Sequence, residues 1–267
     1  MFFQKFHKIF NAPWTWRQPL TGRPADISAP ISDLFVWRNS CNWQTSFELI
    51  DIPGLFVDRA EGSSGVASLV LFDSLGNQFL RKEINIIPAQ RQTINLTSYL
   101  NGIGDEIGTF AVFHKSVPIS ITSMGSYLAE RGYVSFRYQG APLRCYVHGN
   151  LDAISHYNNG QLQMLGCSSF FKREYRLQFL LVPGSQYQLC IVNPTSRLQR
   201  FECKLISISG QRLLHLCTFN LNPGAINLLN FQNEVTEPAR IVIESHMIMA
   251  RPLVFRIQNF KMDVFHG

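Results

Sequence analysis

SLVLFDSLGNQFLRKEINIIP, residues 68–88, runs parallel to ECKLISISGQRLLHLCTFNLNP, residues 202–223, with one inserted residue. Three pairs of residues align across the two stretches: Leu71 with Leu205, Gly76 with Gly210, and Pro88 with Pro223. In both stretches apolar residues flank a turn with a central glycine, which is typical of a β-hairpin because glycine reaches the positive φ that tight turns need. The chain is therefore expected to contain two copies of one hairpin.

The match between the two copies continues along the chain in the same order. Three further blocks align: TINL (93–96) with AINL (225–228), GTFAVFH (108–114) with RIVIESH (240–246), and RGYVSFRYQ (131–139) with RPLVFRIQ (251–258). Four ordered blocks with small gaps in loop-like stretches predict an internal duplication. Short strand-like runs also recur about every 8–12 residues between Gly, Pro, Asn and Ser, the pattern of an all-β sandwich.

The predicted fold is all-β, with two tandem immunoglobulin-like antiparallel β-sandwiches that arose by this duplication. A short N-terminal amphipathic helix is predicted as well, because five apolar residues share one helical face: Phe2, Phe3, Phe6, Ile9 and Phe10. The expected domains are an N-terminal helix and arm (1–27), a first sandwich (28–140), a basic connector (141–172) and a second sandwich (173–267).

The composition predicts a protein with a substantial core, since 46% of the residues are hydrophobic and only 16% are charged. No apolar run reaches the roughly 18 residues of a membrane-spanning helix. Lys5, His7 and Lys8 interrupt the apolar N-terminus, so we expect no signal peptide. We therefore expect a protein that is cytoplasmic or peripheral at a membrane, with reduced thiols.

The positive charge is concentrated in residues 131–212, which hold ten basic and three acidic residues. Such a region could bind nucleic acid, anionic lipid or an acidic partner. Nucleic-acid binding is the weakest of these interpretations, because the basic residues are scattered and no binding signature accompanies them. Contact with a membrane would instead involve residues 2–16, where basic and aromatic residues lie side by side.

The connector contains HGNLDAISH (148–156), the best candidate for metal-dependent chemistry. On a helix His148, Asp152 and His156 would lie near one face and could bind zinc or iron. Gly149 and Asn150 are poor helix residues, however. If His148 ends a strand and Asn150 caps a short helix, only Asp152 and His156 share a face. An enzyme with its site in the connector is thus the alternative, and we predict neither catalytic residues nor a cofactor.

The six cysteines form no CxxC pair and have no metal-ligand spacing. If residues 194–199 form the loop of a hairpin, Cys190 and Cys203 are equally distant from its centre. These two cysteines are then expected to face each other across the ladder as reduced core residues.

The unrepeated connector is the predicted functional surface. RGYVSFR (131–137) recurs in the second copy, so we interpret it as scaffold, whereas HGN (148–150) in the connector has no counterpart. The predicted binding residues are Arg144, Tyr146, His148 and Asn150. The expected function is that of a non-catalytic binding or assembly protein that recognises a protein or glycan through the connector and the inter-domain groove. Both a monomer and an oligomer are compatible with the sequence.

Overall fold

The computed structural model describes residues 22–24, 26, 28–40, 42–55, 65–88, 90–115, 127–156, 160–232, 234–249, 251–259 and 261–267. These residues are all-β, as predicted, and contain no α-helix. Two short 3-10 helices, Pro53–Leu55 and Leu96–Tyr99, occur in connections. The amphipathic helix predicted near the N-terminus lies outside the described residues.

The strands are numbered in chain order. They are β1 Ile31–Asp33, β2 Phe35–Arg38, β3 Trp43–Leu49, β4 Gly65–Phe72, β5 Gln78–Ile86, β6 Gln92–Asn95, β7 Ile107–His114, β8 Ala129–Glu130, β9 Tyr133–Tyr138, β10 Cys145–His148, β11 Ala153–His156, β12 Leu162–Met164, β13 Ser168–Arg176, β14 Gln186–Val192, β15 Gln199–Ser207, β16 Leu213–Leu221, β17 Ile226–Phe231, β18 Ala239–Met247, β19 Leu253–Gln258 and β20 Lys261–His266.

These strands form five four-stranded sheets. Sheet I has the order β2-β7-β4-β5, sheet II β10-β9-β3-β6, sheet III β12-β11-β1-β8, sheet IV β13-β18-β15-β16 and sheet V β17-β14-β19-β20. All pairings are antiparallel except the short parallel contact between β1 and β8.

The prediction of two tandem immunoglobulin-like sandwiches is wrong. The sheets are arranged as five small blades, in the manner of a five-bladed β-propeller. The physical reason lies in sheet V, which is buried on both faces. On β14, Cys190 belongs to the core built by the first half of the chain, whereas its neighbours Leu189 and Ile191 belong to the core of the second half. Two tandem sandwiches, each with its own core, would leave one face of this sheet in water.

The repeated sequence blocks occupy corresponding strands. Sheets I and IV each place a hairpin, β4–β5 or β15–β16, beside β7 or β18. Sheets II and V likewise have matching orders, with β3, β6, β9 and β10 where sheet V has β14, β17, β19 and β20. The turn conformation is not repeated, however. Gly76 has φ 87°, whereas in the second hairpin Gln211, with φ 48°, and not Gly210, takes the positive φ.

The predicted facing pair of Cys190 and Cys203 is also wrong. Cys190 lies on β14 in sheet V, whereas Cys203 lies on β15 in sheet IV. Residues 194–199 therefore pass from one sheet to the other and do not form a hairpin loop. The residue that Cys203 faces in its own sheet is Cys217.

The connector is built mainly of strands. His148 ends β10, in agreement with one of the alternatives considered, but no helix follows it. The predicted helix after Asn150 is wrong, because Ala153–His156 form β11 and pair with β1. The backbone N–H and C=O groups of this segment are therefore satisfied by hydrogen bonds to a neighbouring strand and not by the hydrogen bonds of a helix.

The two halves of the chain meet at an aromatic junction. The Phe255 ring from β19 lies 5.0 Å from the Trp43 ring and 4.9 Å from the Phe136 ring, centroid to centroid. Arg38 stacks over Trp43 at 4.1 Å and donates from Nη1 to Oε1 of Gln188 at 2.7 Å. Burial lowers the pKa of this arginine. The junction thus joins sheet V to sheet II through aromatic packing and to sheet I through one buried polar bond.

None of the helices in the described ranges has the length and apolar character required to cross a membrane.

Replacing Phe255 by alanine is expected to reduce the free energy of unfolding by about 3–5 kcal/mol, because it opens a cavity between the two halves. Phe171→Ala is the matched control, since Phe171 is also on a strand but is 71% exposed; its effect is expected to stay within about 0.5 kcal/mol. Denaturant unfolding measures both. Equal losses in the two variants would contradict the central role of the junction.

Candidate functional site

The outer face of sheet II carries a row of polar and aromatic side chains. Alternate residues of a strand point to the same side. Three cross-strand pairs therefore share this face: Gln44 with Arg137, Ser46 with Ser135, and Glu48 with Tyr133. Tyr146 on β10 joins them, because it is paired with Ser135. The intervening residues, among them Phe47, Val134 and Phe136, point into the core.

A first cavity, of about 620 Å³, lies at one end of this outer face. Its lining residues are Glu48, Ile50, Ile52, Arg91, Ala129, Glu130, Arg131, Gly132, Tyr133 and Tyr146. The tyrosines are 55% and 52% exposed, so their rings offer flat apolar surface with a hydroxyl at the tip. This volume lies within the usual range of about 300–1,000 Å³ for ligand pockets.

The carboxylates that line this cavity are held by protein groups. Glu48 accepts a hydrogen bond from Thr93 Oγ1 at 3.0 Å and lies 3.4 Å from Arg91 Nε. Glu130 lies 2.8 Å from His114 Nε2 and accepts from the Gly132 N–H at 2.7 Å. Both side chains are almost fully buried. They therefore shape the wall of the cavity and are poorly placed for acid–base chemistry on a ligand.

A second cavity, of about 310 Å³, lies at the other end of the outer face. It is lined by Asn42, Gln44, Arg137, Gln139 and Gly140. Amide and guanidinium groups predominate here, so this cavity offers both hydrogen-bond donors and acceptors. Residues 44 and 48 are about 13 Å apart along β3 at the usual rise of a strand.

Arg144 lies between the two cavities. Its Nη1 donates to Ser46 Oγ at 3.0 Å and approaches Ser135 Oγ at 3.4 Å. Both serines are buried although they belong to the outer face, because the arginine side chain covers them. The guanidinium group therefore covers the part of the sheet that separates the two cavities.

The turn after β10 wraps around a buried acid from sheet III. Oδ2 of Asp33 accepts from the Leu151 N–H at 3.3 Å, and Leu151 holds a φ of 72°, which is uncommon for a residue other than glycine. Gly149 is packed so closely that a Cβ there would overlap the Asp33 carboxylate. The turn therefore requires its glycine and a strained leucine in order to enclose this carboxyl group.

Two carboxyl groups in this region have raised pKa values. Burial raises the pKa of Asp33 to about 6, with the positive charge of Arg131 acting in the opposite direction. Burial, together with the proximity of Asp33, raises the pKa of Asp152 well above its usual value. Asn150 opposes this rise through a side-chain hydrogen bond to Asp152. None of these three residues lines either cavity.

The structure separates the four predicted binding residues into two groups. Tyr146 and Arg144 lie on the outer face, in contact with the cavities or between them. His148 is exposed on the same face, where it is paired with Tyr133, and its ring centroid lies 4.6 Å from that of His266. Asn150 is buried and bonded to Asp152, so it supports the turn and is not available for contact with a ligand.

The three metal-ligand candidates are not brought together. His148 packs on His266, and Asp152 is buried near Asp33. His156 lies at the end of β11, with Nε2 2.9 Å from Nη1 of Arg81. Among the described residues, no group of three or more His, Cys, Asp or Glu side chains is placed to hold a metal ion.

The basic region is partly neutralised by local ion pairs. Four of its cations lie within ion-pair distance of carboxylates: Lys172 and Lys204 with Glu244, Arg176 with Glu174, and Arg212 with Glu237. A nucleic-acid surface needs cations that are free to contact phosphates. The arrangement gives no support to binding of nucleic acid by residues 131–212.

Sequence reasoning missed much of the outer face. Arg131, Tyr133 and Arg137 were interpreted as scaffold because RGYVSFR is repeated, yet they line the two cavities. Gln44 and Glu48 were not considered. The signal that could have identified them is the alternation in WQTSFEL (43–49), which places polar residues at every second position.

No family model matches the chain, and no curated protein matches it either. Among solved structures, a β-glucuronidase from glycoside hydrolase family 2 is 8% identical, with a TM-score of 0.17 over 92% of this chain and 24% of that chain. A structure of infectious bursal disease virus, Gx strain, is 9% identical, with a TM-score of 0.16 over 84% of this chain and 54% of that chain. The chain thus spans about a quarter of the first and half of the second, and likenesses this weak carry no argument.

Asp33 is expected to make stability depend on pH. Its pKa is higher in the folded protein than the ordinary 3.8, so the protonated carboxyl favours folding. This contribution is complete below about pH 4 and is lost as the pH rises through about 6. With 1.36 kcal/mol per pKa unit, the loss amounts to about 3 kcal/mol. The Asp33→Asn variant should therefore gain about that much stability relative to wild type between pH 4 and pH 7.

Urea unfolding at both pH values measures this difference. Asp26→Asn is the control, because hydrogen bonds from Ser28 lower the pKa of Asp26. Its contribution to stability is present above about pH 4 and is lost only at lower pH, so this variant should show little pH-dependent difference from wild type between pH 4 and pH 7. If the difference in free energy of unfolding between Asp33→Asn and wild type is the same at both pH values, ionisation of Asp33 does not destabilise the folded protein and the prediction is wrong.

Proposed function

We propose that this chain is a non-catalytic binding protein whose ligand is a glycan that lies along the outer face of sheet II. The observation that carries the proposal is the placement of two cavities on one sheet face, with Arg144 between them. An extended ligand can contact both cavities at once, which a compact small molecule could not do.

The chemistry of the two cavities favours a hydroxyl-rich ligand. Sugar rings present apolar faces and hydroxyl edges. Half-exposed tyrosines such as Tyr133 and Tyr146 can stack against the apolar faces. The amides of Gln44 and Gln139 can both donate to and accept from hydroxyl groups, and the guanidinium of Arg137 adds donors. None of these contacts requires a charged ligand.

The state of the acidic residues supports binding without catalysis. Glycoside hydrolysis, for example, uses two carboxyl groups that both face the ligand. Here Glu48 and Glu130 are engaged by protein partners, and the carboxyl groups with raised pKa values, Asp33 and Asp152, lie outside the cavity linings. The face can orient a ligand but lacks a free acid–base pair.

Location in the cytoplasm or at a membrane surface is part of the same proposal.

A protein segment is the other ligand considered, since Ile50 is 40% exposed at the rim of the first cavity. A peptide would be expected to depend on Ile50 and little on Gln44 or Arg137. This difference separates the two ligands in one set of variants.

Replacing Tyr146 by alanine should weaken glycan binding about tenfold or more, as for an aromatic anchor in an interface. Tyr146→Phe, which keeps the ring, should retain most of the affinity. Arg137→Ala should weaken binding as well, because it removes donors from the second cavity. A glycan array identifies the oligosaccharide, and isothermal titration calorimetry then measures its affinity for each variant.

Leu198→Ala serves as the control for these variants, since Leu198 is 60% exposed and lies in the second half of the chain. If no oligosaccharide on the array is retained, or if binding is unchanged in both Tyr146→Ala and Arg137→Ala, the outer face is not a glycan site. Binding of a peptide that is lost on Ile50→Ala would assign the face to a protein partner.

A further inference from the structure

Cys203 and Cys217 form a directly opposed pair in sheet IV. They are partners in the antiparallel register of β15 and β16. Cys203 is fully buried in the core of the second half, whereas Cys217 is half-buried on β16, which is an edge strand. One thiol of the pair is therefore within reach of small solutes and the other is shielded.

The two opposed thiols shift each other's pKa in opposite directions. The pKa of Cys203 is raised by its hydrogen bond with Cys217 and by burial. The pKa of Cys217 is lowered by the same bond and by the neighbouring His215. A thiolate at Cys217 that accepts from the Cys203 S–H explains both directions.

His215 is held beside this pair by its place on the same strand. It lies two residues before Cys217, so its side chain is on the same face of β16. Its ring packs edge-on against Phe231, with centroids 6.0 Å apart. Its proximity contributes to lowering the pKa of the Cys217 thiol. A thiol, a second thiol and an imidazole are thus assembled at the open edge of one sheet.

Two other cysteines show that exposure alone does not create such a site. Cys145 and Cys167 are also half-buried. Cys145 donates to the Met262 carbonyl at 2.8 Å. Burial raises the pKa of both thiols, the reverse of the effect at Cys217, and neither is opposed by another cysteine in its sheet register. They serve as internal references for reactivity.

We infer that Cys217 and Cys203 form a peroxide-reactive dithiol, a modification site independent of the glycan face. The Cys217 thiolate attacks one oxygen of a hydroperoxide, whose O–O bond breaks, giving a sulfenic acid on Cys217 and releasing hydroxide or alkoxide. The Cys203 sulfur then attacks the Cys217 sulfur, and the hydroxyl leaves as water with the Cys203 proton. Two thiols are oxidised to one disulfide by the two electrons that the hydroperoxide accepts.

The geometry of the ladder allows this disulfide. Directly opposed residues of an antiparallel pair have Cα atoms about 4.5–5.5 Å apart, inside the range of about 4.4–6.8 Å found for disulfides. The bond would tie the edge strand β16 to β15 at its middle.

The test uses the full chain, fully reduced and then treated with one equivalent of hydrogen peroxide. Free thiols are blocked with N-ethylmaleimide, and peptide mass spectrometry maps the products. The expected product is a Cys203–Cys217 disulfide that forms about tenfold or more faster than any oxidation of Cys145 or Cys167, as for a thiol with thiolate character. In Cys203→Ser, the expected product is a Cys217 sulfenic acid that is trapped by dimedone.

Cys167→Ser is the matched control and should form the disulfide at the wild-type rate. Oxidation of Cys145 or Cys167 as fast as that of Cys217 would overturn the inference, as would peroxide consumption that is unchanged in Cys217→Ser. The peptide map of the oxidised wild-type protein compares the oxidation rates of cysteines within one molecule. It therefore tests the inference even if a serine variant fails to fold. Glycan binding by the reduced protein does not enter this readout.

Discussion

Neighbouring residues of β14 point into different cores, and those of β19 do the same. Val254 belongs to the core of the second half, while Leu253 and Phe255 on either side of it belong to the core of the first. Arg38 is buried at this boundary, stacked on Trp43 and bonded to Gln188. Burial of a cation is costly, so Arg38 fits only where the aromatic rings and the amide are already in place. The junction therefore fixes how the halves meet.

The outer face of sheet II depends on the same junction from the opposite side. Phe136 packs on Phe255, while its neighbours Ser135 and Arg137 belong to the outer face. Because the inner face of sheet II is anchored in the core, the backbone beneath the outer face has little freedom to move. The outer face can therefore bind a ligand with preformed groups. Behind the first cavity, the enclosed carboxyl of Asp33 and the bonded pair of Glu130 and His114 give the wall a polar interior.

The sequence was informative where the signal is local. The hairpins around Gly76 and Gly210, the end of β10 at His148 and the all-β class follow from alternation and turn residues. The sheet arrangement did not follow, because alternation shows that a strand has two faces but not what covers each. The apolar run YQLCIV (187–192) was the available sign of burial on both faces. Tyr146 was predicted as a contact from its place in the connector, whereas Gln44 and Glu48 become neighbours of Tyr133 and Arg137 only through long-range pairing.

The shared sheet also has a consequence for the order in which the chain can fold during synthesis. The first core contains Leu253, Phe255 and Met262, which follow most of the chain out of the ribosome. Until they emerge, the inner face of sheet II around Trp43 and Phe136 lacks its cover. The preceding part of the nascent chain would therefore expose an apolar surface until β19 and β20 have been synthesised, and chaperones that bind such surfaces are expected to recognise it.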